Sequence, residues 1–359
     1  MSILIFILIL SILVLVHELG HFIAAKKNGV LVEEFGIGFP PRILGIKIKE
    51  TIYSINLIPL GGFVKLYGEE YNQLSQNSKN RKKSLDSKAF VYKKPWQKII
   101  IIVAGVIGNF LLGWLLISYL FNQGVPKPLN KVLIEKVEKN SPAYNAGLKK
   151  NDYIYGLIVG KKKYPVKSSS DLIMLTKKYA GKEINLLIER NNKKITVKAV
   201  PRKNIPKNQG PLGIVISSFE IKKYPWYQAP FYGLIHAASI TQKIISELTK
   251  TVFQLISFQK PSVDVAGPIG IARFTSEAAK FGQNAIIELM ALLSLNLAVV
   301  NLLPFPALDG GRLIFVLYEL VTKKPFNKKL ETYLNFFGFI FLIGIAILVS
   351  INDILKIYR

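Results

Sequence analysis

An apolar run near the N-terminus has a metal-binding pattern written into it. Residues 3–25 read ILIFILILSILVLVHELGHFIAA, with no charge before Glu18. A helix of that length crosses about 30 Å of hydrocarbon. The run has no basic segment ahead of it and exceeds the apolar stretch of about 7–15 residues found in a secretory signal peptide. It reads as a retained membrane helix. Within it stands His17-Glu18-Leu19-Gly20-His21. Residues four apart share one helix face, so both imidazoles can reach a single ion. Zinc takes histidine nitrogen at about 2.0–2.1 Å and in catalytic sites keeps a position open for water. Glu18 is then placed to take a proton from that water, the arrangement of H-E-x-x-H metalloproteases. The plainer alternative is two histidines satisfied by ordinary hydrogen bonds. Membrane burial weighs against it, because a charged group at mid-bilayer costs roughly 2.5–3.5 kcal/mol and needs partners or a function. Two of the chain's three histidines lie in this motif. At about 1.5 Å per residue, His17 sits roughly 20 Å from the outer end of the run and roughly 12 Å from the Lys26 end. The ion is expected inside the hydrocarbon, nearer the cytoplasm.

Half of the 359 residues are hydrophobic, and further apolar runs occupy 99–121, 285–303 and 334–351. The formal net charge is +26, yet only seven of the basic residues are Arg, and no basic stripe interleaved with aromatics occurs. That excess fits attraction to anionic lipid head groups and excludes nucleic acid as a partner. Cysteine is absent, which excludes a disulfide framework and a Cys-ligated metal. Residues 26–98 carry fourteen Lys and Arg, and the loop between the last two runs adds Lys323, Lys324, Lys328 and Lys329. By the positive-inside rule both loops are cytoplasmic, and the N-terminus and the long segment after residue 121 lie outside.

These signals divide the chain into a first membrane helix with the metal motif (1–26), a cytoplasmic loop with a β element (27–96), a second membrane helix (97–121) and an outer α+β unit (122–205). A connector with an amphipathic interfacial helix (206–284), a broken third membrane segment (285–321), a cytoplasmic loop (322–333) and a fourth helix with the C-terminus (334–359) complete it. In the first loop, TIYSINLI and FVKL flank Pro-Leu-Gly-Gly and read as a hairpin-like element. The polar stretch from Glu69 to Lys94 is expected to be mobile. In the outer unit, VLIEKVE reads as a strand and Ser168 with Asp171 caps a helix through about Tyr179. EINLLIER and KITVKAV form a hairpin around Asn191-Asn192. The segment 235–257 is amphipathic enough to lie on the membrane surface and is not counted as a span.

A third metal ligand is required, and the topology puts His236 on the wrong side. Residues 285–320 would make about 54 Å of helix, too long for one straight crossing. The break reads Asn301-Leu302-Leu303-Pro304-Phe305-Pro306-Ala307-Leu308-Asp309-Gly310-Gly311-Arg312. Two prolines and two glycines stop the helix there, and irregular backbone at membrane depth is tolerated where it lines a polar cavity. Asp309 falls at the depth of His17 and His21, and a carboxylate completes the two-His-plus-carboxylate set of catalytic zinc. The alternatives for Asp309 are a helix cap or a pair with Arg312.

The combination of H-E-x-x-H in the first span with N-x-x-P-x-P-x-L-D-G in a later one resembles the site-2 protease family of intramembrane zinc metalloproteases, most nearly its bacterial RseP branch. The resemblance covers essentially the whole chain. FGIGFPPRILG (35–45) looks like that branch's Gly-rich element, and YSINLIPLGGFVKLYGE (53–69) like its membrane-reentrant β-loop. AGVIGNF (104–110) is similar to the second-span motif, with Val106 where Pro often stands. GPIGIA (267–272) is similar to the segment ahead of the third span, and SPAYNAGLKKNDYI (141–154) to the core of a PDZ domain. The implied fold is an α-helical polytopic membrane protein of about four spans, with a cytoplasmic membrane-reentrant β-loop and an extracytoplasmic α+β PDZ domain. The implied site has one Zn2+ on His17, His21 and Asp309, with Glu18 as general base. Asn301 and Asn109 would hold substrate or developing charge, and the loop at Gly61 and Gly62 would receive substrate as an added strand. The implied substrates are single-span membrane proteins, such as anti-sigma factors or signal-peptide remnants, cut at a bacterial inner membrane. Two rivals remain: a protease using Glu288 or Glu319 as third ligand, and a non-enzymatic membrane-anchored PDZ module with a structural or vestigial zinc site.

Overall fold

The computed structural model describes residues 2–69, 87–206, 209–257, 259 and 266–357. In chain order its elements are α1 (Ser2–Lys27), β1 (Val32–Ile48), β2 (Thr51–Leu66), α2 (Pro95–Gln123), β3 (Val125–Val137), α3 (Pro142–Asn145), β4 (Tyr153–Val159) and β5 (Lys162–Pro165). They continue with α4 (Ser169–Lys178), β6 (Ile184–Arg190), β7 (Lys193–Ala199), β8 (Ile214–Lys222), α5 (Ala229–Ile256), α6 (Pro268–Phe281), α7 (Gln283–Asn301), α8 (Asp309–Thr322) and α9 (Lys328–Ile357). Among the described residues α1, α2, α7 and α9 are long and apolar enough to cross a membrane. Most of the polar stretch expected to be mobile lies outside the described residues.

Met1–Leu120 and Trp226–Arg359 make up one compact unit, Phe121–Pro225 the other. In the first unit the C-terminal end of α1 is seated in a small apolar cluster. Ala24, Ala25, Val30, Val32, Leu66 and Ile101 are buried together there, joining α1, the sheet and α2. The sheet differs from the hairpin expected of 51–66. Residues 34–37 pair with 62–65, from Glu34–Lys65 to Ile37–Gly62, and also with 52–55, from Glu34–Ile52 to Ile37–Ile55. The two β2 segments therefore flank the start of β1 instead of pairing with each other. The end of β1 closes the other side, from Arg42–Asn56 to Ile48–Thr51. Alternation identifies a strand but not its partner, and the FGIGFPPRILG segment supplies strands that composition alone does not reveal. This sheet exposes Ile37, Phe39, Leu44, Ile46, Leu57 and Ile58. A concentration of exposed apolar side chains of that kind marks a protein or lipid contact.

The chain after α5 also differs from a plain connector, because α6 occupies part of it. Arg273, Glu277 and Lys280 recur at spacings of four and three and so share one face of α6, an amphipathic pattern that the expected connector did not separate. Its start is held by Asp353 of α9, a buried carboxylate whose Oδ2 accepts from the N–H groups of Gly267 (2.9 Å) and Gly270 (2.8 Å). A carboxylate there satisfies N–H groups that a helix start leaves without intrahelical partners.

The second unit is an antiparallel sheet in the order β7-β6-β4-β3-β8, with β5 paired to β4. Val132, Ile134, Ile154, Leu157, Ile184 and Leu186 form its buried core, with Leu172 from α4. The β6–β7 hairpin turns at Asn191 (φ 50) and Asn192 (φ 62), the positive dihedrals that a two-residue hairpin favours. The expected cap is present: Ser168 accepts from Asp171 N–H, and the Asp171 carboxylate accepts from Ser168 N–H. The Lys167 N–H, the Ser168 hydroxyl and the Ser168 N–H hold the Asp171 carboxyl below the usual carboxylate range. Asp152 is fully buried and takes Arg190 through Nε (2.7 Å) and Nη2 (2.6 Å), plus the Lys149 N–H (2.8 Å).

Asp152→Ala removes the buried partner of Arg190; the guanidinium is a quarter exposed and keeps the Gly147 carbonyl oxygen, so the cost falls below the about 3–5 kcal/mol of a fully buried pair. Amide exchange of β4 and β6 in the intact, detergent-solubilised chain is expected to accelerate accordingly. Unchanged protection would reject the assignment.

Candidate metal centre

α1 presents His17 and His21 one turn apart, with ring centroids 4.7 Å apart and planes at 87°. The third group comes from the break between α7 and α8. The chain leaves the helix after Asn301, turns through Ala307 at φ 72, and restarts at Asp309. The tight return needs glycine at 310, since a Cβ there would strike the carbonyl oxygens of Leu302 and Leu303. The turn is braced by α9, where Asn335 Oδ1 accepts the Ala307 N–H at 3.1 Å. Asp309 does not cap its own helix: Leu308 is the N-cap and makes no side-chain cap bond. Arg312 pairs with Glu69 instead. The Asp309 carboxylate turns to the imidazoles.

Three donor atoms converge as a result. His17 Nε2 and His21 Nε2 are 3.2 Å apart, and Asp309 Oδ2 lies 3.0 Å from the first and 3.2 Å from the second. Tetrahedral zinc with bonds of about 2.0–2.1 Å would set its ligand atoms about 3.3 Å apart, close to these separations. Protonation points the same way. His21 Nδ1 lies 2.8 Å from the Ile101 carbonyl oxygen, which can only accept, so that nitrogen carries the proton. A neutral His21 then aims a lone pair from Nε2 at two other acceptors. One shared proton relieves a single contact of the three; a divalent cation relieves all of them. The donor set fits the group.

Among the described residues His17, His21 and Asp309 are the group of His and carboxylate side chains close enough to hold an ion. His236 lies outside that group, as do Glu288 and Glu319. Glu319 is bound through both oxygens to the buried Lys98 Nζ, at 3.0 and 2.9 Å. Glu18 is half-buried on the same turn of α1. Gly62 backs onto it: a Cβ on Gly62 would lie 4.0 Å from Glu18 Cγ and 2.7 Å from the Gly36 carbonyl oxygen. Gly61, at φ 93, lies against Val14. Asn301 Nδ2 is 3.3 Å from His17 Nε2, and Asn109 Nδ2 is 3.3 Å from His17 Nδ1.

Two contributors escaped the sequence reading. One is the Ile101 carbonyl, a backbone atom with no residue signature. The other is Gly105, where a Cβ would collide with His21 Nε2 and with His17 Cε1. Its signal was available in AGVIGNF, four residues ahead of Asn109. Gly105→Val is therefore expected to abolish bound zinc while the chain still inserts into membranes. Elemental analysis of the purified variant checks this, and a full zinc complement would show that the helices tolerate the side chain.

Comparison with known proteins agrees with this geometry. Residues 5–345 match Peptidase family M50. The Bacillus subtilis protein named regulator of sigma-W protease RasP is 30% identical, with 98% of each chain covered. The Bacillus licheniformis zinc metalloprotease RasP is likewise 30% identical over 98% of each chain. A Clostridium perfringens protein, also named a zinc metalloprotease, is 35% identical over 96% of each. Similarity over the full length, four bilayer-length helices and a donor set suited to zinc converge on one assignment. The chain belongs to peptidase family M50, the site-2 protease family, and is a multi-pass membrane zinc metalloprotease.

Proposed function

We propose that this protease hydrolyses peptide bonds in or beside the transmembrane segments of single-span membrane proteins, on the cytoplasmic side of a bacterial inner membrane. The observation that carries the reading is the convergence of His17, His21 and Asp309 from two apolar segments, with their ligand atoms within 4.8 Å of one another. These three residues hold the zinc. Bound there, it supplies a Lewis acid and lowers the pKa of a water toward neutrality. Glu18 takes a proton from the attacking water as the oxygen–carbon bond forms. It returns a proton to the amine nitrogen as the carbon–nitrogen bond breaks. The Asn301 amide, 3.3 Å from His17 Nε2, donates to the carbonyl oxygen as charge develops on it. A helical substrate hides its carbonyls, so the segment at Gly61 and Gly62 receives it as an extended strand beside Glu18.

The β1–β2 sheet, with its exposed apolar side chains, serves as a membrane-reentrant element next to the site. The α+β unit expected over 122–205, which the structure extends through β8 within Phe121–Pro225, is the PDZ domain, on the extracytoplasmic side, and filters substrates by the size of their outer domains. The sigma-W regulator in the name of the B. subtilis relative favours anti-sigma factors as substrates, beside signal-peptide remnants. The positive-inside distribution supports the sidedness.

Glu18→Gln is expected to slow cleavage of a single-span substrate by on the order of 100- to 10,000-fold. Its zinc content should stay that of the wild type, whereas Asp309→Ala should lose the metal. Cleavage at the wild-type rate by Glu18→Gln would overturn the role. Since the chain contains no cysteine, single cysteines report topology directly. Lys93→Cys and Lys324→Cys are expected to react with an impermeant maleimide only in inverted vesicles, and Lys163→Cys only in intact cells. The reverse pattern would overturn the sidedness.

A further inference from the structure

The second helix meets the histidine pair along one stripe. Ile101, Gly105 and Asn109 recur every four residues on α2, so they share a face. The Ile101 carbonyl oxygen takes the Nδ1 proton of His21. Gly105 leaves the room that both rings fill. Asn109 lies against Nδ1 of His17 at 3.3 Å. The family resemblance gave Asn109 to the substrate, but the side chain has no accessible surface. Its backbone is also pinned, with its carbonyl oxygen accepting the Ser294 hydroxyl of α7 at 2.7 Å. A group so enclosed faces the ligand, not the substrate.

The hydrogen-bond arithmetic is specific. A neutral imidazole that ligates through Nε2 must carry its proton on Nδ1. His17 then needs an acceptor at Nδ1, as His21 finds in Ile101. In the structure the Asn109 amide nitrogen faces that position, while its Oδ1 is buried with no hydrogen-bond partner. A half-turn of the carboxamide exchanges the two ends, which are nearly equal in shape. It brings the unpartnered oxygen to the proton that needs it. Without an acceptor there, His17 is free to place its proton on Nε2, where it blocks ligation.

We propose that Asn109 is a positioning residue for the metal: its carboxamide oxygen holds His17 in the Nε2-ligating tautomer, the counterpart of the Ile101 carbonyl at His21. This rests on the reading of His17, His21 and Asp309 as the zinc ligands. Outer groups of this kind orient a ligating imidazole and raise its basicity, and their loss weakens metal affinity by about 10- to 100-fold.

The test is zinc affinity by chelator competition on the full-length protein in detergent, with melting curves alongside. Asn109→Leu, similar in size and unable to accept, is expected to bind zinc about 10- to 100-fold more weakly. Asn109→Asp keeps an acceptor and is expected to restore affinity to within a few-fold of the wild type. Wild-type affinity in Asn109→Leu, with the loss confined to a higher KM, would overturn the proposal and return Asn109 to the substrate. Equal weakening in both variants at unchanged melting temperature would also overturn it, since an acceptor would then not matter. The ligand reading fails separately: it falls if His17→Ala binds zinc as tightly as the wild type, whatever the Asn109 variants do.

Discussion

Polar groups inside an apolar helix are the constraint around which the first unit is organised. Two imidazoles and a carboxylate, with ligand atoms 3.0–3.2 Å apart, cannot be left to themselves in a hydrocarbon environment. Each must be met by a cation, a donor or an acceptor of the right kind. The surrounding elements divide that task. α8 delivers Asp309 from a turn that breaks the third span, α2 delivers the outer contacts to both rings, and α9 braces the turn through Asn335. The same demand applies elsewhere in the unit. Lys98 is buried against Glu319, and Asp353 against the two N–H groups opening α6. Each of these buried ionisable groups is met by a named partner.

Close approach is the other half of the design. Without a hydrophobic drive between helices in lipid, small residues let backbones come near enough for dispersion and hydrogen bonds to hold them. α2 supplies such residues at Gly105 and Gly113. Gly105 admits the two rings, and at Gly113 a Cβ would lie 2.7 Å from Leu295 of α7. The contacts of Asn109 depend on that spacing, because a side chain so short reaches His17 only if the helices nearly touch. At Gly105 helix packing and the candidate metal site use the same position.

The sequence made the two metal motifs legible because each is local: His17 and His21 repeat at helical spacing, and the Pro-x-Pro break before Asp309 stands out in an apolar run. Asn301 and Asn109 were singled out by their motifs and do lie beside the His17 imidazole, Asn109 fully buried. Strand pairing was less legible. Alternation marked 51–58 and 63–66 as strands, but the start of β1 lies between them, and no periodicity reports that insertion. The α6 helix, amphipathic and short, was folded into the expected connector, and the Ile101 carbonyl was hidden because backbone atoms leave no mark on composition.

What the sequence determined by itself is which segments belong in lipid and which pair of residues can share an ion. Transfer free energy and helical periodicity act on neighbouring residues and can be read without a fold. That Asp309 faces His17 and His21, that α2 lays one stripe across both rings, and that β1 enters between the halves of β2 were decided only by tertiary structure. Each depends on packing between segments distant in the chain, where the outcome follows from the shape and satisfied polar groups of the whole assembly.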